Sequence, residues 1–177
     1  MDADILLFIQ EYIRNPALDV FFKAITHLGD AGIFWIILTI CLLPFKKTRK
    51  AGICSACALL GSLLVNNMIL KVLVNRTRPY EMIEGLVCII APAVDASFPS
   101  GHTGASFASA VAMFWHLPRR WGILLLVIAS LIAFSRLYVG VHYPTDVLGG
   151  LVTGIGLGLL VNFVGERISR RKGTATI

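Results

Sequence analysis

Three short clusters carry the residue types from which an anion site and a proton-transferring pair can be built. They are Lys71 to Pro79, Phe98 to Ser106 and Ser135 to Asp146. Lys71 and Arg78 stand seven apart. On a continuing helix that spacing puts both cations on one face, with Asn67 a turn before Lys71. Pro79 then ends the helix. The pair reads as an anion clamp, or as two side chains snorkelling to lipid head groups.

Ser100-Gly101-His102 lies where a turn gives way to an apolar run. Pro99 and Gly101 suit the turn, and Ser100 and Thr103 suit a helix start. Free backbone N–H groups at such a start attract anions, and Gly101 allows them to come close. His102 at that point can donate a proton. Plain capping chemistry with an interfacial histidine is the alternative.

Arg136, His142 and Asp146 make the third cluster. Pro144 fits the first turn of the last apolar run, so His142 and Asp146 are four apart across a helix start. A carboxylate on one imidazole nitrogen fixes the tautomer and makes the other more basic. That arrangement prepares a nucleophilic or basic histidine. A structural His–Asp pair tying a loop to a helix would look the same.

The rest of the chain must bring these clusters together. Of its 177 residues 56% are hydrophobic and only 15% charged, and mean hydropathy is +0.79. This is too apolar for a soluble globular surface and points to an all-α, polytopic membrane bundle. The apolar runs are continuous rather than alternating, against a β-barrel. The net charge of +6 is explained by position within the chain, so nucleic acid is not expected as a partner. Met1 is followed by Asp2 and Asp4, unlike a cleavable leader. Cys54 and Cys57 form a C-x-x-C inside an apolar run, with no second pair, and read as small packing residues.

Five clear spans are expected, at 31–45, 51–74, 103–117, 122–139 and 147–164. Residues 1–28 are amphipathic and broken at Arg14-Asn15-Pro16. They suit two interfacial helices, or a sixth, imperfect span. The whole chain, 1–177, reads as one domain with its core at 51–165. Gly150, Gly154 and Gly158 recur on one face of the last span and suit close helix packing.

Ten of the 16 Lys and Arg residues lie in three groups: 46–50, 119–120 and 167–172. Alternating spans put all three groups and the C-terminus on one side, and the positive-inside rule makes that side cytoplasmic. Lys71, Arg76, Arg78 and Arg136 fall at the opposite ends, where anion binding is the natural reason for them.

Taken together, Lys71-x6-Arg78-Pro79, Pro99-Ser100-Gly101-His102 and Ser135-Arg136-x5-His142-x3-Asp146 resemble the three signature motifs of the type 2 phosphatidic acid phosphatase superfamily. All motif positions match in order. The resemblance implies a helical bundle, usually of six spans, and catalysis without metal or other cofactor. It implies His142 as nucleophile through a phosphohistidine, Asp146 orienting it, and His102 as acid and then base. Lys71, Arg78, Ser100, Gly101 and Arg136 would bind the phosphate oxygens. A small, outward-facing member resembles bacterial enzymes of the cytoplasmic membrane that dephosphorylate undecaprenyl pyrophosphate. The expected partner is therefore a lipid phosphate or pyrophosphate among membrane lipids. Phosphatidic acid or phosphatidylglycerol phosphate is the alternative substrate, a lipid phosphotransferase the alternative reaction, and a transporter the alternative without catalysis.

Overall fold

The computed structural model describes residues 1–174, with side chains described through Arg170. The described residues are helical, with no strand. The short helix α1 (Asp2–Phe8) is followed by α2 (Pro16–Leu28), which has Asn15 as its side-chain cap and Pro16 in its first turn. A tight turn leads to α3 (Ile33–Leu42). Helix α4 (Arg49–Ser62) runs on through a wider, π-helical stretch at Leu63–Leu70 into one last α turn, α5 (Lys71–Val74). After α6 (Pro79–Met82) a long connection reaches α7 (Gly101–Phe114), α8 (Arg119–Tyr138) and α9 (Pro144–Thr174).

Helix α7 is the interior element. Its sequence GHTGASFASAVAMF is rich in small residues, and nine of its residues are buried. Helices α4, α8 and α9 pack around it. The glycine ladder of α9 explains how closely they approach. A Cβ on Gly150 would stand 2.5 Å from the Ser100 carbonyl oxygen, and one on Gly154 2.6 Å from that of Gly104. Polar side chains tie the helices where no water would reach. Trp35 Nε1 donates to Ser106 Oγ at 2.9 Å, and Ser55 Oγ lies 2.7 Å from both Thr39 Oγ1 and Ser109 Oγ. The outward faces, by contrast, present exposed Ile, Leu, Val and Phe side chains, as lipid contact requires.

The span count differs from the five expected. Arg49–Met82, Arg119–Tyr138 and Pro144–Arg170 are each long and apolar enough to cross a membrane. Helices α2 and α3, bent by 47° at their junction, make a fourth if counted as one span. Helix α3 alone has ten residues and α7 has 14, about 15 and 21 Å at 1.5 Å per residue. Enclosed by its neighbours, α7 does not have to meet lipid along a full bilayer thickness.

The N-terminal segment packs against the bundle. Phe22 stacks between Phe134 and Tyr138, and Tyr138 donates to Asp19 at 2.7 Å. Arg14 holds the carbonyls of Tyr138 and Val87 at 2.8 and 2.7 Å. The expected basic end is borne by Lys46 to Lys50, Arg119, Arg120 and Arg167, while the side chains of Arg171 and Lys172 lie outside the described residues.

Candidate active site

The eight expected site residues gather at the end of the bundle away from that basic end. Lys71 and Arg78 do not share a helix face, which corrects the sequence expectation. The helix stops at Val74, Asn75 turns left-handed at φ 44°, and the chain is irregular up to Arg78. What brings the two cations together is a carboxylate. Asp95 accepts a hydrogen bond from Lys71 Nζ with one oxygen and from Arg78 Nη2, at 2.6 Å, with the other. The Asp95 backbone carbonyl also accepts from Arg78 Nε at 3.0 Å.

Arg78 is buried and reaches further. Its Nη1 donates to the Val141 carbonyl at 2.9 Å and lies 3.2 Å from His142 Nε2. His142 sits in the short loop between α8 and α9, 1% exposed. Its other nitrogen, Nδ1, is 3.5 Å from Asp146 Oδ2. A guanidinium can only donate, so Nε2 carries the lone pair and Nδ1 the proton. This is the tautomer that a nucleophilic Nε2 requires. Burial holds the His142 imidazole well below its ordinary value of 6.5; Asp146 opposes that, and Arg136 and Arg78 reinforce it.

Asp146 is fully buried in the first turn of α9 and is held on all sides. Arg76 Nη1 donates to Oδ1 at 2.7 Å, while the Tyr143 backbone N–H (2.9 Å) and the Ser97 hydroxyl donate to Oδ2. Arg76 also lies 3.7 Å over the Tyr143 ring and reaches Asp2 of α1 at 3.2 Å. From the sequence Arg76 is expected with the anion-binding cations, without a role of its own, and Ser97, Asp95 and Asp30 are not assigned to the site.

The second cluster closes the other side. Ser100 is buried and caps α7, accepting from the Thr103 hydroxyl at 3.0 Å and its N–H at 3.4 Å. Its own N–H donates to the Asp146 carbonyl at 3.0 Å, so α7 and α9 start from one point. Gly101 lies close under the Asn67 side chain: a Cβ there would be 2.9 Å from Asn67 Oδ1, so Asn67 would have to shift. His102 Nε2 donates to Asp30 Oδ1 at 2.9 Å. Arg136, buried near the site end of α8, donates from Nη1 to Thr26 Oγ1 at 2.5 Å, and its Nε has no hydrogen-bond partner. Among the described residues no carboxylate pairs with it.

Next to these groups opens a cavity of about 680 Å³ between α3 and α4. Lys71, Asp95 and His102 line its polar end, and Ile36, Ile40, Leu59, Leu60 and Leu63 belong to its apolar walls. Among the described residues no group of three or more His, Cys, Asp or Glu side chains is placed to hold a metal ion.

Fold and site together describe a membrane-type helical bundle with its charged groups gathered at one end. Residues 51–169 match the family model of the PAP2 superfamily, and the chain belongs to that superfamily of membrane lipid phosphatases. It is 35% identical over 147 residues to undecaprenyl-diphosphatase BcrC of Bacillus subtilis, covering 83% of this chain and 75% of that protein. It is 32% identical over 126 residues to an undecaprenyl-diphosphatase of Sulfolobus acidocaldarius, covering 71% of this chain and 61% of that protein. The crystal structure of a transmembrane PAP2-type phosphatidylglycerolphosphate phosphatase from Bacillus subtilis superposes with a TM-score of 0.78 at 29% identity. That match covers 94% of this chain and 85% of the other.

Proposed function

We propose that the chain hydrolyses a lipid pyrophosphate at the outer face of the cytoplasmic membrane, with undecaprenyl pyrophosphate as substrate. One observation carries the reading. The cavity lined by Lys71, Asp95 and His102 is also lined by aliphatic side chains of α3, of α4 and of the π-helical stretch that follows it, among them Ile36, Ile40, Leu59, Leu60 and Leu63. A substrate with a charged head and a long apolar tail fits both parts. The outer-face assignment is supported by the basic groups at 46–50 and 119–120, which lie at the opposite end of the helices from the site.

In the reaction, His142 Nε2 attacks the terminal phosphorus and displaces the bridging oxygen of the lipid monophosphate. His102 gives that oxygen its proton. Water then attacks the phosphohistidine, giving its proton to His102, and inorganic phosphate leaves with His142 restored. Arg78, Arg136 and Lys71, with the N–H groups at the start of α7, stabilise the equatorial oxygens of the transition state. Asp146 holds the His142 Nδ1 proton. Positive charge on the chain itself supplies what a metal supplies elsewhere.

The likeness to the phosphatidylglycerolphosphate phosphatase supports a glycerophospholipid monophosphate as the second reading. Purified protein in lipid nanodiscs, assayed with undecaprenyl pyrophosphate, phosphatidylglycerol phosphate and phosphatidic acid, separates the two. Preferred turnover of the isoprenoid supports the first reading. Turnover of the glycerophospholipids alone contradicts it.

A further inference from the structure

The turn between α2 and α3 delivers a carboxylate to His102 that no sequence motif announces. Asp30 Oδ1 is 2.9 Å from His102 Nε2, and Asp30 Oδ2 is 2.7 Å from Nδ1 of His27. The local backbone is shaped for this approach. Ala31 (φ 49°) and Gly32 (φ 69°) are both left-handed, a conformation that alanine adopts at a cost. Gly29 sits so close to the imidazole that a Cβ would stand 2.6 Å from His102 Cδ2 and 2.9 Å from Ile132 Cγ2. Strain and a side-chain-free contact at one turn mark a segment held for what it positions.

An ionised carboxylate can only accept, so His102 Nε2 carries a proton and Nδ1 is the nitrogen left for substrate. Building on the proposed function, we infer that Asp30 is the positioning residue of the acid–base histidine. It fixes the ring so that Nδ1 serves the leaving oxygen, and it stabilises the imidazolium that exists before each P–O cleavage and again after water has been deprotonated. The site then contains two His–Asp pairs: His142 with Asp146 for attack, and His102 with Asp30 for proton transfer. The other charges near His102 are those of Arg136 on α8 and Lys71 at the start of α5, both of which disfavour the imidazolium. His27, exposed to solvent, faces Asp30 itself. Asp30 is the carboxylate that counters them.

The test compares wild type with Asp30→Asn and Asp30→Glu in detergent micelles, using alkyl, phenyl and p-nitrophenyl phosphates across pH. Asp30→Asn is expected to lower kcat/KM for the alkyl ester on the order of 10²-fold. The loss should be smallest for p-nitrophenyl phosphate, whose leaving oxygen needs no proton. The alkaline limb of the pH profile should move to lower pH, and Asp30→Glu should recover part of the rate. Equal losses on all three esters, or an unmoved alkaline limb, overturn the assignment. So does full activity in the folded Asp30→Asn protein, its fold checked by thermal melting. Failure of the phosphatase reading is distinct from these outcomes, since wild type would then release no phosphate from any ester.

Discussion

Arg78 Nη1 lies 3.2 Å from His142 Nε2, so the guanidinium donates to the nitrogen that carries the lone pair. The cation thereby marks where an anionic substrate must arrive. A phosphate that takes the Arg78 N–H groups brings its phosphorus next to that same nitrogen. The contact also keeps His142 neutral in its buried loop. Burial, first of all, lowers the imidazole below 6.5, with Arg136 and Arg78 adding to it against Asp146. An unfolded chain takes up a proton here below pH 6.5 and the folded one does not. This group therefore contributes stability above that pH and loses it as pH falls. Melting temperatures of wild type and His142→Asn, followed from about pH 8 to pH 5, should diverge at the acid end, with the variant less pH-sensitive. Parallel curves would contradict the neutral, buried histidine.

Asp95 holds Lys71 and Arg78 as a phosphate would. Burial opposes its ionisation, but the two cations outweigh that and hold its carboxyl below the ordinary 3.8. It is ionised throughout the neutral range, and its contribution to stability is lost only as pH falls below that value. Asp95→Asn should free the cations and tighten competitive inhibition by inorganic phosphate and vanadate, read as a lower inhibition constant at pH 7. Weaker inhibition would show that Asp95 helps to build the anion site rather than occupying it.

Arg76 Nη1 donates to Asp146 Oδ1, and on the proposed mechanism it positions the carboxylate that orients His142. Arg76→Ala leaves a buried carboxylate oxygen without its donor, which costs about 1–3 kcal/mol of stability. The displaced Asp146 should lower kcat by up to about 10²-fold, with KM little changed and Arg76→Lys recovering part of it. A rise in KM alone would assign Arg76 to substrate binding instead.

The approach of α9 to α7 sets where Ser100 and Asp146 meet. Gly150→Ala would drive a methyl group against the Ser100 carbonyl, destabilising the fold by about 1–3 kcal/mol. Thermal melting reads the stability, and the activity of the surviving folded fraction should fall with it. A variant with wild-type stability and activity would show that the two helices can separate without consequence.

If protein cations and the α7 start supply the electrostatics, EDTA should leave turnover intact. Strong inhibition reversed by one particular metal would contradict that account.

The residues of the candidate site were readable because three motifs concentrate them in runs of a few residues: Lys71 to Arg78, Ser100 to His102, and Arg136 to Asp146. Their partners were not readable, for a physical reason. Asp30, Asp95, Ser97 and Arg76 act on groups 17 to 72 residues away along the chain. Nothing in the hydropathy of the intervening helices says which loop ends above which helix start. Asp30 reads as an ordinary turn acid until Gly29 is seen against the imidazole. The number of helices long enough to span alone was not readable for a related reason. Hydropathy finds apolar runs, but α7 is apolar because helices enclose it, while α3 reaches spanning length only together with α2. The helical continuity assumed between Lys71 and Arg78 was broken by Asn75, whose left-handed conformation its sequence context does not dictate.

The central claim is that His142 forms the covalent bond to phosphorus. Rapid quench of the purified protein with lipid pyrophosphate labelled on the terminal phosphate tests it directly. The account predicts an acid-labile, alkali-stable label on the peptide that contains His142, formed and lost at rates compatible with turnover, and absent from folded, inactive His142→Ala. A label on another residue, or normal turnover by the His142→Ala protein, would contradict it.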